Sequence, residues 1–450
     1  MFSLSFQSPD KIQVGDANPK VLRVVRENIK KHFGELHSET IKNSRTRFQL
    51  NDRPFSLLKR AVDKSDAELF VTALLKDLLK NGWRVALNSD LNQNLSSSNS
   101  TLFFENRPEE LSKKTELCCL KIGFNGLKLL HAPPELVNVL RASVGSDLGV
   151  EKSCSKVYFA EVKHSVLQPL AYHDKTSFKT VACFYTLLLN IFKNFRTHGF
   201  AFYGTTNLKG YADCVFFANN GTPLPPEDYS VMSVNPNDAL RLVNYPKESS
   251  DALSAAVDGK WTRRSWMASG GMECLELKLK AAPGNDHPKR RSLMLEILEA
   301  SAKNGLSVLT SLAVSISPAD RMLLIMRIST PAAVPYLFLG LSGTNKIRVS
   351  GGDEEFRNSI KEAIERSWAP GALPYLKLRR DECKLALKGT LWGSRFADVH
   401  PSRSLMKEVL TKLQNEGCAV LCSADLPSKW ISYGASSSSN VHTWIVAKRE

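Results

Sequence analysis

The chain has 450 residues, of which 43% are apolar and 23% charged, with 60 Lys and Arg against 45 Asp and Glu. This length exceeds what one hydrophobic core usually serves, so we expect roughly two to four domains, and the apolar share excludes a chain that is disordered throughout. A net charge of +15 attracts phosphate polymers and anionic surfaces, although charge spread over a chain of this length is also typical of an ordinary solvated surface.

Localisation is predicted from segments that the sequence lacks. No apolar run approaches the roughly 20 residues needed to span a bilayer, and the N-terminal segment has no basic region typical of a signal peptide. The nine cysteines are odd in number and form no CxxC pair, which fits a reducing compartment better than a disulfide framework. We therefore expect a cytoplasmic or nuclear protein.

The first part of the chain predicts a mixture of short strands and two helices. In chain order these are strand Leu4–Phe6, strand Lys11–Val14, a helix over 21–29, strand Arg47–Leu50, a helix over 69–78, a strand that begins at Trp83, and strand Thr101–Phe104. The second helix is followed by Gly82, the residue best suited to the positive φ at a helix C′ position.

The same order of elements recurs three more times. The equivalents of Gly82 are Gly199, Gly305 and Gly417, at intervals of roughly 110 residues. Upstream of each glycine lies a strand with two apolar positions around a polar one, and these apolar positions are Ile12 and Val14, Leu127 and Leu129, Leu240 and Leu242, and Ile347 and Val349. The recurrence indicates duplication of one unit.

The sequence therefore predicts an α+β protein of four tandem divergent modules. Each is expected to read approximately β-β-α-β-α-β-β, with two helices on a small mixed sheet. Segments rich in Pro and Gly or in charge divide the chain, and the predicted modules are 1–108, 115–221, 228–330 and 335–450.

The fourth module resembles a repeat found in uncharacterised eukaryotic proteins that carry tandem copies of such a unit. The residues that carry the resemblance are Trp368-Ala-Pro-Gly371, Leu387-Lys-Gly-Thr-Leu-Trp392 and Gly417 to Leu426. The other modules match only the apolar skeleton and the glycine. The resemblance implies the fold unit over essentially the whole chain and no catalytic or ligand-binding residue.

One polar column recurs in register among the modules. It contains Asp90, Asn207 and Asp425, eight residues after the helix-ending glycine, with Ala313 in the third copy. Asp and Asn at the end of a strand commonly cap a turn, and a retained functional group is the other interpretation.

No metal or cofactor site is predicted. Cys418 and Cys422 favour packing in a core, and His173 beside an aspartate is a weak signal. No phosphate-binding loop, nucleophile elbow or HExxH motif occurs in the sequence.

Basic residues form short clusters that could face solvent. The candidate basic surface consists of Arg263, Arg264, Lys289, Arg290, Arg291, Arg379 and Arg380. Such side chains could contact the phosphates of nucleic acid. Strand aromatics such as Trp83 and Trp444 could stack on bases, but their apolar neighbours favour core packing.

Three functions stay open at this stage. The first is a non-catalytic interaction or scaffold protein, whose similar modules bind one or more protein partners of unknown identity. The second is a basic protein that binds nucleic acid such as RNA. The third is an enzyme with a site between modules. The oligomeric state is not predicted.

Overall fold

The structure of the protein is a computed structural model. It describes residues 1–56, 65–91, 100–110, 114–123, 125–163, 167, 178–208, 214–235, 239–256, 261–267, 272–279, 287–313, 323–342, 344–371, 376–379, 382–389, 391–392, 400–424 and 440–448. Over these residues the chain forms four sheets of six strands each and eight α-helices.

The first two sheets are formed by the N-terminal half of the chain. Sheet 1 and its helices contain β1 (Phe2–Gln7), β2 (Lys11–Gly15), α1 (Pro19–Phe33), β3 (Leu36–Lys42), β4 (Arg45–Leu50), α2 (Asp66–Lys80), β5 (Trp83–Asp90) and β6 (Ser100–Asn106). Sheet 2 and its helices contain β7 (Glu116–Ile122), β8 (Gly126–Leu130), α3 (Pro134–Val144), β9 (Leu148–Cys154), β10 (Val157–Val162), α4 (Phe178–Thr197), β11 (Ala201–Thr206) and β12 (Cys214–Asn219).

The C-terminal half of the chain repeats this series twice. Sheet 3 and its helices contain β13 (Tyr229–Asn235), β14 (Ala239–Val243), α5 (Lys247–Ala256), β15 (Trp261–Met267), β16 (Glu273–Leu279), α6 (His287–Lys303), β17 (Leu306–Leu312) and β18 (Leu323–Ile328). Sheet 4 and its helices contain β19 (Tyr336–Ser342), β20 (Lys346–Ser350), α7 (Glu354–Ser367), β21 (Leu376–Arg379), β22 (Glu382–Ala386), α8 (His400–Asn415), β23 (Cys418–Ala424) and β24 (Asn440–Lys448). The strands of each sheet lie inside one of the four predicted modules.

All four sheets share one strand order. In sheet 1 it is β3-β4-β2-β1-β6-β5, and the other sheets repeat it. The prediction of four tandem α+β modules is confirmed, with two differences. Neighbouring strands are antiparallel throughout, so the sheets are not mixed. Each sheet also contains one strand more than predicted, such as β3, because this strand is exposed over most of its length and has no alternating apolar pattern.

The glycine column adopts one backbone geometry in all four modules. The φ angles of Gly82, Gly199, Gly305 and Gly417 are 80°, 83°, 80° and 73°. Each glycine N–H donates to the carbonyl three residues earlier, over 2.9 to 3.0 Å. The prediction that a glycine with positive φ ends the second helix of each module is therefore confirmed.

The first helix of a module begins with recognisable capping signals. The side chain of Asn18 accepts a hydrogen bond from the N–H of Val21 at 2.9 Å, and Pro19 occupies the first turn. At the equivalent point in the fourth module, Asp353 accepts from the N–H of Phe356 at 2.7 Å. Local residue types thus fix where these helices start.

The chain divides into two compact units. One unit comprises Met1–Asn88, Leu95–Glu227 and Ala313–Pro318, and the other comprises Ser89–Asn94, Asp228–Leu312 and Ala319–Glu450. Most of the first unit is therefore formed by sheets 1 and 2 with their helices, and most of the second by sheets 3 and 4 with theirs. None of the described helices is both long and apolar enough to cross a membrane.

In the first unit, helix α2 is packed between two sheets. Phe70 and Leu74 of this helix share one buried core with Phe104 of sheet 1 and with Cys119 and Phe216 of sheet 2. The buried carboxylate of Glu68 in α2 forms an ion pair with Lys121 of β7. Although burial opposes the charge of Lys121, the carboxylate of Glu68 raises the pKa of this lysine above its usual range.

The opposite face of sheet 2 is covered by its own helices. The ring of Phe217 packs edge-on against Phe192 of α4, with ring centroids 5.1 Å apart. The layers of the first unit therefore alternate as sheet, helices, sheet, helices. Sheet 2 is buried on both faces, which explains the continuous apolar run in β7.

The second unit has the same arrangement around α6. Leu298 of this helix shares a buried core with Leu242 and Leu275 of sheet 3 and with Phe338 and Ile445 of sheet 4. The second helix of the first module in each unit thus packs on the sheet of the following module. This shared packing brings the N-terminal turn of α6 close to one face of sheet 4.

Candidate functional site

The polar column predicted from the repeats lies at strand ends. Asp90 is the last residue of β5, and Asn207 directly follows β11. The backbone N–H of Asn207 donates to the hydroxyl of Ser100 in β6 at 2.9 Å. Asp425 lies outside the described residues. The turn interpretation of this column stays a prediction.

The predicted basic surface is divided among three elements. Arg263 and Arg264 lie in β15, Lys289, Arg290 and Arg291 in the first turn of α6, and Arg379 at the end of β21. Arg380 lies outside the described residues.

Arg291 is not part of an exposed basic surface. Its residue is only 9% exposed, and its Nη2 donates to both carboxylate oxygens of Glu382 in β22 at 2.8 Å. Glu382 also accepts from Nη1 of Arg348 in β20 at 3.1 Å. In the antiparallel register, Arg379 is the β21 partner of Glu382. The fold therefore brings Arg291 of one predicted basic cluster to this carboxylate.

Further cations continue this face of sheet 4. Arg348 lies directly opposite Lys384 in the pairing of β20 with β22, and Lys346 lies two residues before Arg348 on the same face. Burial, followed by the charges of Lys346 and Arg348, lowers the pKa of Lys384. We refer to Lys346, Arg348 and Lys384 as the sheet 4 basic row.

The equivalent row of sheet 3 is neutralised. Arg241 occupies the position of Arg348, and Glu276 occupies the position of Lys384. Nε of Arg241 lies 3.0 Å from a carboxylate oxygen of Glu276. The same strand position therefore carries the negative Glu276 in the third module and the positive Lys384 in the fourth.

The first unit presents two exposed edge strands. Strands β3 and β9 are edge strands of sheets 1 and 2, and six of the seven residues in each are exposed. Among the described residues, the large apolar side chains that stand exposed are Ile41 on β3, at 66%, and Val150 on β9, at 57%. Edge strands offer backbone N–H and C=O groups to a further strand.

An ion pair holds each of these edge strands to the first helix of its module. Nη2 of Arg26 in α1 lies 2.6 Å from the carboxylate of Glu39 in β3, and Nε of Arg141 in α3 lies 2.5 Å from the carboxylate of Glu151 in β9. We refer to these contacts as the edge ion pairs. Hydrogen bonds from Tyr158 and Arg141 lower the pKa of Glu151, so its carboxylate is ionised at neutral pH.

The edge ion pairs are equivalent in the two modules. Both arginines lie seven residues after the proline that opens the helix, Pro19 or Pro134. Glu39 pairs with the β4 residue opposite Ile12, and Glu151 pairs with the β10 residue opposite Leu127.

These residues were not predicted from the sequence, although part of the signal was present. The recurrence of Arg26 and Arg141 is visible once the two helix-opening prolines are aligned. The matching glutamates could not be aligned without β3 and β9, which the apolar pattern does not predict.

Cys418 and Cys422, which the sequence predicts to pack in a core, have the environment of core residues. Cys418 and Cys422 are both buried, and burial raises the pKa of Cys422 to about 12. Burial also lowers the pKa of His131 to about 4. Over the described part of the chain, no group of three or more His, Cys, Asp or Glu side chains is placed to hold a metal ion. His173 lies outside that part.

Comparisons with known proteins identify a family for this chain. A search of curated proteins and a search of solved structures each found no significant match. The domain that defines one family of unknown function matches residues 1–105, 228–327 and 335–447, which correspond to the first, third and fourth modules. Because these segments cover well over half of its length, the chain belongs to this family of unknown function.

Proposed function

We propose that the chain is a non-catalytic interaction protein that binds an extended segment of a partner protein along an edge strand of the first unit. The observation that carries this proposal is the pair of open seven-residue edges, β3 and β9, each with an exposed large apolar side chain. Binding by strand addition uses main-chain hydrogen bonds for affinity and alternate side chains for specificity.

Of the two edge strands, β3 has more of the features that favour pairing with a partner strand. Ile41 lies on the same face as Glu39, two residues further along the strand, and Glu39 is held by Arg26. The edge ion pair fixes the strand to α1, so less conformational entropy is lost when a partner strand pairs with it. Natural edges usually carry charge or proline that discourages such pairing, whereas here a large apolar side chain is presented.

The charges around the two edges favour an acidic partner segment. Lys42 at the end of β3 is exposed, and so are Lys152 and Lys156 of the β9 hairpin. The carboxylates of Glu39 and Glu151 are each paired with an arginine, which leaves the lysines as a positive charge at both edges; at β9 the carboxylate of Glu161 also accepts from the N–H of Val150 at 3.3 Å. A segment that alternates apolar and acidic residues would complement both the apolar side chains and this charge.

Binding of a synthetic peptide tests the proposal directly. A fluorescent peptide of alternating Val and Glu is titrated with the full chain, and its anisotropy is recorded. Ile41→Asp is expected to weaken binding at least tenfold, because it removes apolar contact and adds a charge of the same sign as the peptide. Asn358→Asp adds the same charge at an exposed position of α7 and should leave the affinity unchanged.

Hydrogen exchange locates the bound peptide. The amides of β3 should gain protection when the peptide is added, and a peptide with proline at its centre should lose both binding and protection. Equal affinities of Ile41→Asp and the unsubstituted protein would refute edge binding. Self-association that Ile41→Asp abolishes, without peptide binding, would assign the edge to a second copy of the chain instead.

Nucleic-acid binding has less support from the described side chains. Arg241, Arg291 and Arg348 are each engaged by a carboxylate of their own unit, which reduces the positive charge available to phosphates. Retention on RNA with a steep dependence on salt concentration would favour the nucleic-acid function, since each phosphate contact releases counterions.

A further inference from the structure

The sheet 4 basic row is an unusual arrangement for the face of a sheet. Arg348 and Lys384 are direct cross-strand partners, so two positive side chains lie side by side on neighbouring strands. Like charges directly opposite one another destabilise an antiparallel pair. Lys346 extends the row on the same face, so three cations lie within a short stretch of two strands.

The nearby carboxylate of Glu382 offsets the charge of the arginines beside it and not that of the lysines. Glu382 is 3% exposed and accepts hydrogen bonds from both Arg291 and Arg348. Within the described part of the chain, no carboxylate lies within ion-pair distance of Lys346 or Lys384. Burial, followed by the charges of Lys346 and Arg348, lowers the pKa of Lys384.

The third module shows how the same position is neutralised when no ligand is needed. There Glu276 replaces the lysine and pairs with Arg241 at 3.0 Å. Because both modules share one strand order and one register, a simple exchange of lysine for glutamate would remove the repulsion in sheet 4. The fourth module instead carries a lysine, which indicates a role for the positive charge.

Part of the row is open to solvent. On β19 the partner of Arg348 is Gly340, which has no side chain, and the hydroxyl of Ser342 on the same strand accepts a hydrogen bond from Nε of Arg348 at 3.2 Å. Arg348 and Lys384 are partly exposed rather than buried. Helix α6 packs beside the row, and Arg291 of this helix donates a hydrogen bond to Glu382, which lies next to one end of the row.

We propose that the sheet 4 basic row binds a phosphate group, either as a free inorganic anion or as the phosphate of a small molecule. Lys384 lies about 5 Å across the strands from Arg348, and Lys346 lies about 7 Å from Arg348 along β20, so the three cations are close enough together to contact one or two phosphate groups. The arginine supplies directional hydrogen bonds and the two lysines supply compact positive charge. A nucleic-acid strand would need a longer track of cations than this row provides.

Thermal unfolding with and without pyrophosphate tests the site. Ionic strength is matched with sodium chloride, and calorimetric titration of the full chain gives the dissociation constant. Pyrophosphate is expected to raise the midpoint of the second unit, because a ligand that binds only the folded state stabilises it. Parallel titrations with inorganic phosphate and with a nucleoside monophosphate distinguish the free anion from a phosphate carried on a larger molecule.

The decisive variant is Lys384→Glu, which reproduces the arrangement of the third module. It should raise the unfolding midpoint of the ligand-free protein and weaken pyrophosphate binding at least tenfold. Lys303→Gln removes one positive charge from the exposed end of α6 and should keep both the midpoint and the affinity. General stabilisation by phosphate salts acts equally on all these proteins, so it cannot imitate the expected pattern.

Several outcomes would overturn the assignment. Unchanged pyrophosphate affinity in Lys384→Glu would show that the row is not the site, and an equal loss in Lys303→Gln would show that only net charge matters. Tighter binding of single-stranded RNA than of pyrophosphate, lost in Lys384→Glu, would assign the row to a polymer. Ile41→Asp should keep the pyrophosphate response, so failure of edge binding and failure of this site are distinguishable.

Discussion

Gly305 and Gly199 close equivalent helices with nearly the same φ angle, but their surroundings differ. A Cβ atom on Gly305 would lie 2.5 Å from the backbone carbonyl of Ser329, whereas one on Gly199 would lie 3.0 Å from the side-chain amide of Asn219. A side-chain amide can move aside more easily than the backbone carbonyl of Ser329, which directly follows β18 and has no such freedom of rotation. The cost of adding a methyl group therefore depends on the neighbour as well as on φ.

We expect Gly305→Ala to destabilise the protein more than Gly199→Ala. Positive φ alone costs a non-glycine residue about 1 to 2 kcal/mol, and the contact with Ser329 adds to this at Gly305. Urea unfolding, followed by circular dichroism, measures the difference. Equal costs at the two positions would show that the strands after Gly305 shift without penalty.

His131 couples the stability of the first unit to pH. Burial and then the nearby charge of Lys156 lower its pKa to about 4, below its ordinary value of 6.5. The unfolded chain takes up this proton at a higher pH than the folded chain does. The stabilising effect of neutral His131 is therefore complete above about pH 6.5 and is lost as the pH falls towards 4.

His131→Asn should flatten this dependence. Asn is suitable because His131 has a φ of 54°, a conformation that Asn tolerates better than most residues. Unfolding midpoints measured between pH 4 and pH 7 should fall less steeply in the variant than in the unsubstituted protein. The opposite result, identical slopes, would assign the pH dependence to other groups.

Among the elements, the edge strand β3 contacts the first helix through the Arg26–Glu39 ion pair. Arg26→Gln should release β3 from α1 and speed the exchange of β3 amides, while global stability changes by less than about 1 kcal/mol, as is usual for exposed ion pairs. Lys30→Gln is the matched control, because Lys30 of the same helix forms a more exposed pair with Glu35, just after the helix ends. Hydrogen exchange with mass spectrometry measures the exchange of the β3 amides in both variants. Unaltered exchange in Arg26→Gln would show that the ion pair does not hold the edge.

The elements also show which signals the sequence carries. The end of the second helix was predictable because Gly82 acts through its own backbone conformation. Strand β3 was not, because an exposed strand carries no alternating pattern. The sheet 4 basic row could not be predicted either, because it depends on the pairing register of β20 with β22, which are distant in the sequence. A single sequence predicts features that depend on neighbouring residues, such as helix ends, but it does not predict the pairing of distant strands.

At the scale of the whole molecule, the first two modules form one folding unit. Helix α2 buries Phe70 and Leu74 against both sheets, and nine of its residues are buried. A fragment of residues 1–110 would expose the second of these two apolar surfaces to water.

We therefore expect a fragment of residues 1–227 to fold and a fragment of residues 1–110 to aggregate or remain loosely packed. Size-exclusion chromatography and thermal unfolding distinguish the two. A cooperative, monomeric 1–110 fragment would show that sheet 2 adds nothing essential to the core around α2. The 228–450 fragment provides the parallel comparison for the second unit.

The position of α2 between two sheets also constrains how such a chain can change length during evolution. Loss of one module from a pair would expose one apolar side of a helix that is apolar on two sides. Gain of a single module would add a helix layer with an exposed apolar surface. Inheritance should therefore favour insertions and deletions of two modules at a time. Genomes that encode relatives of this chain should accordingly be richer in even than in odd copy numbers.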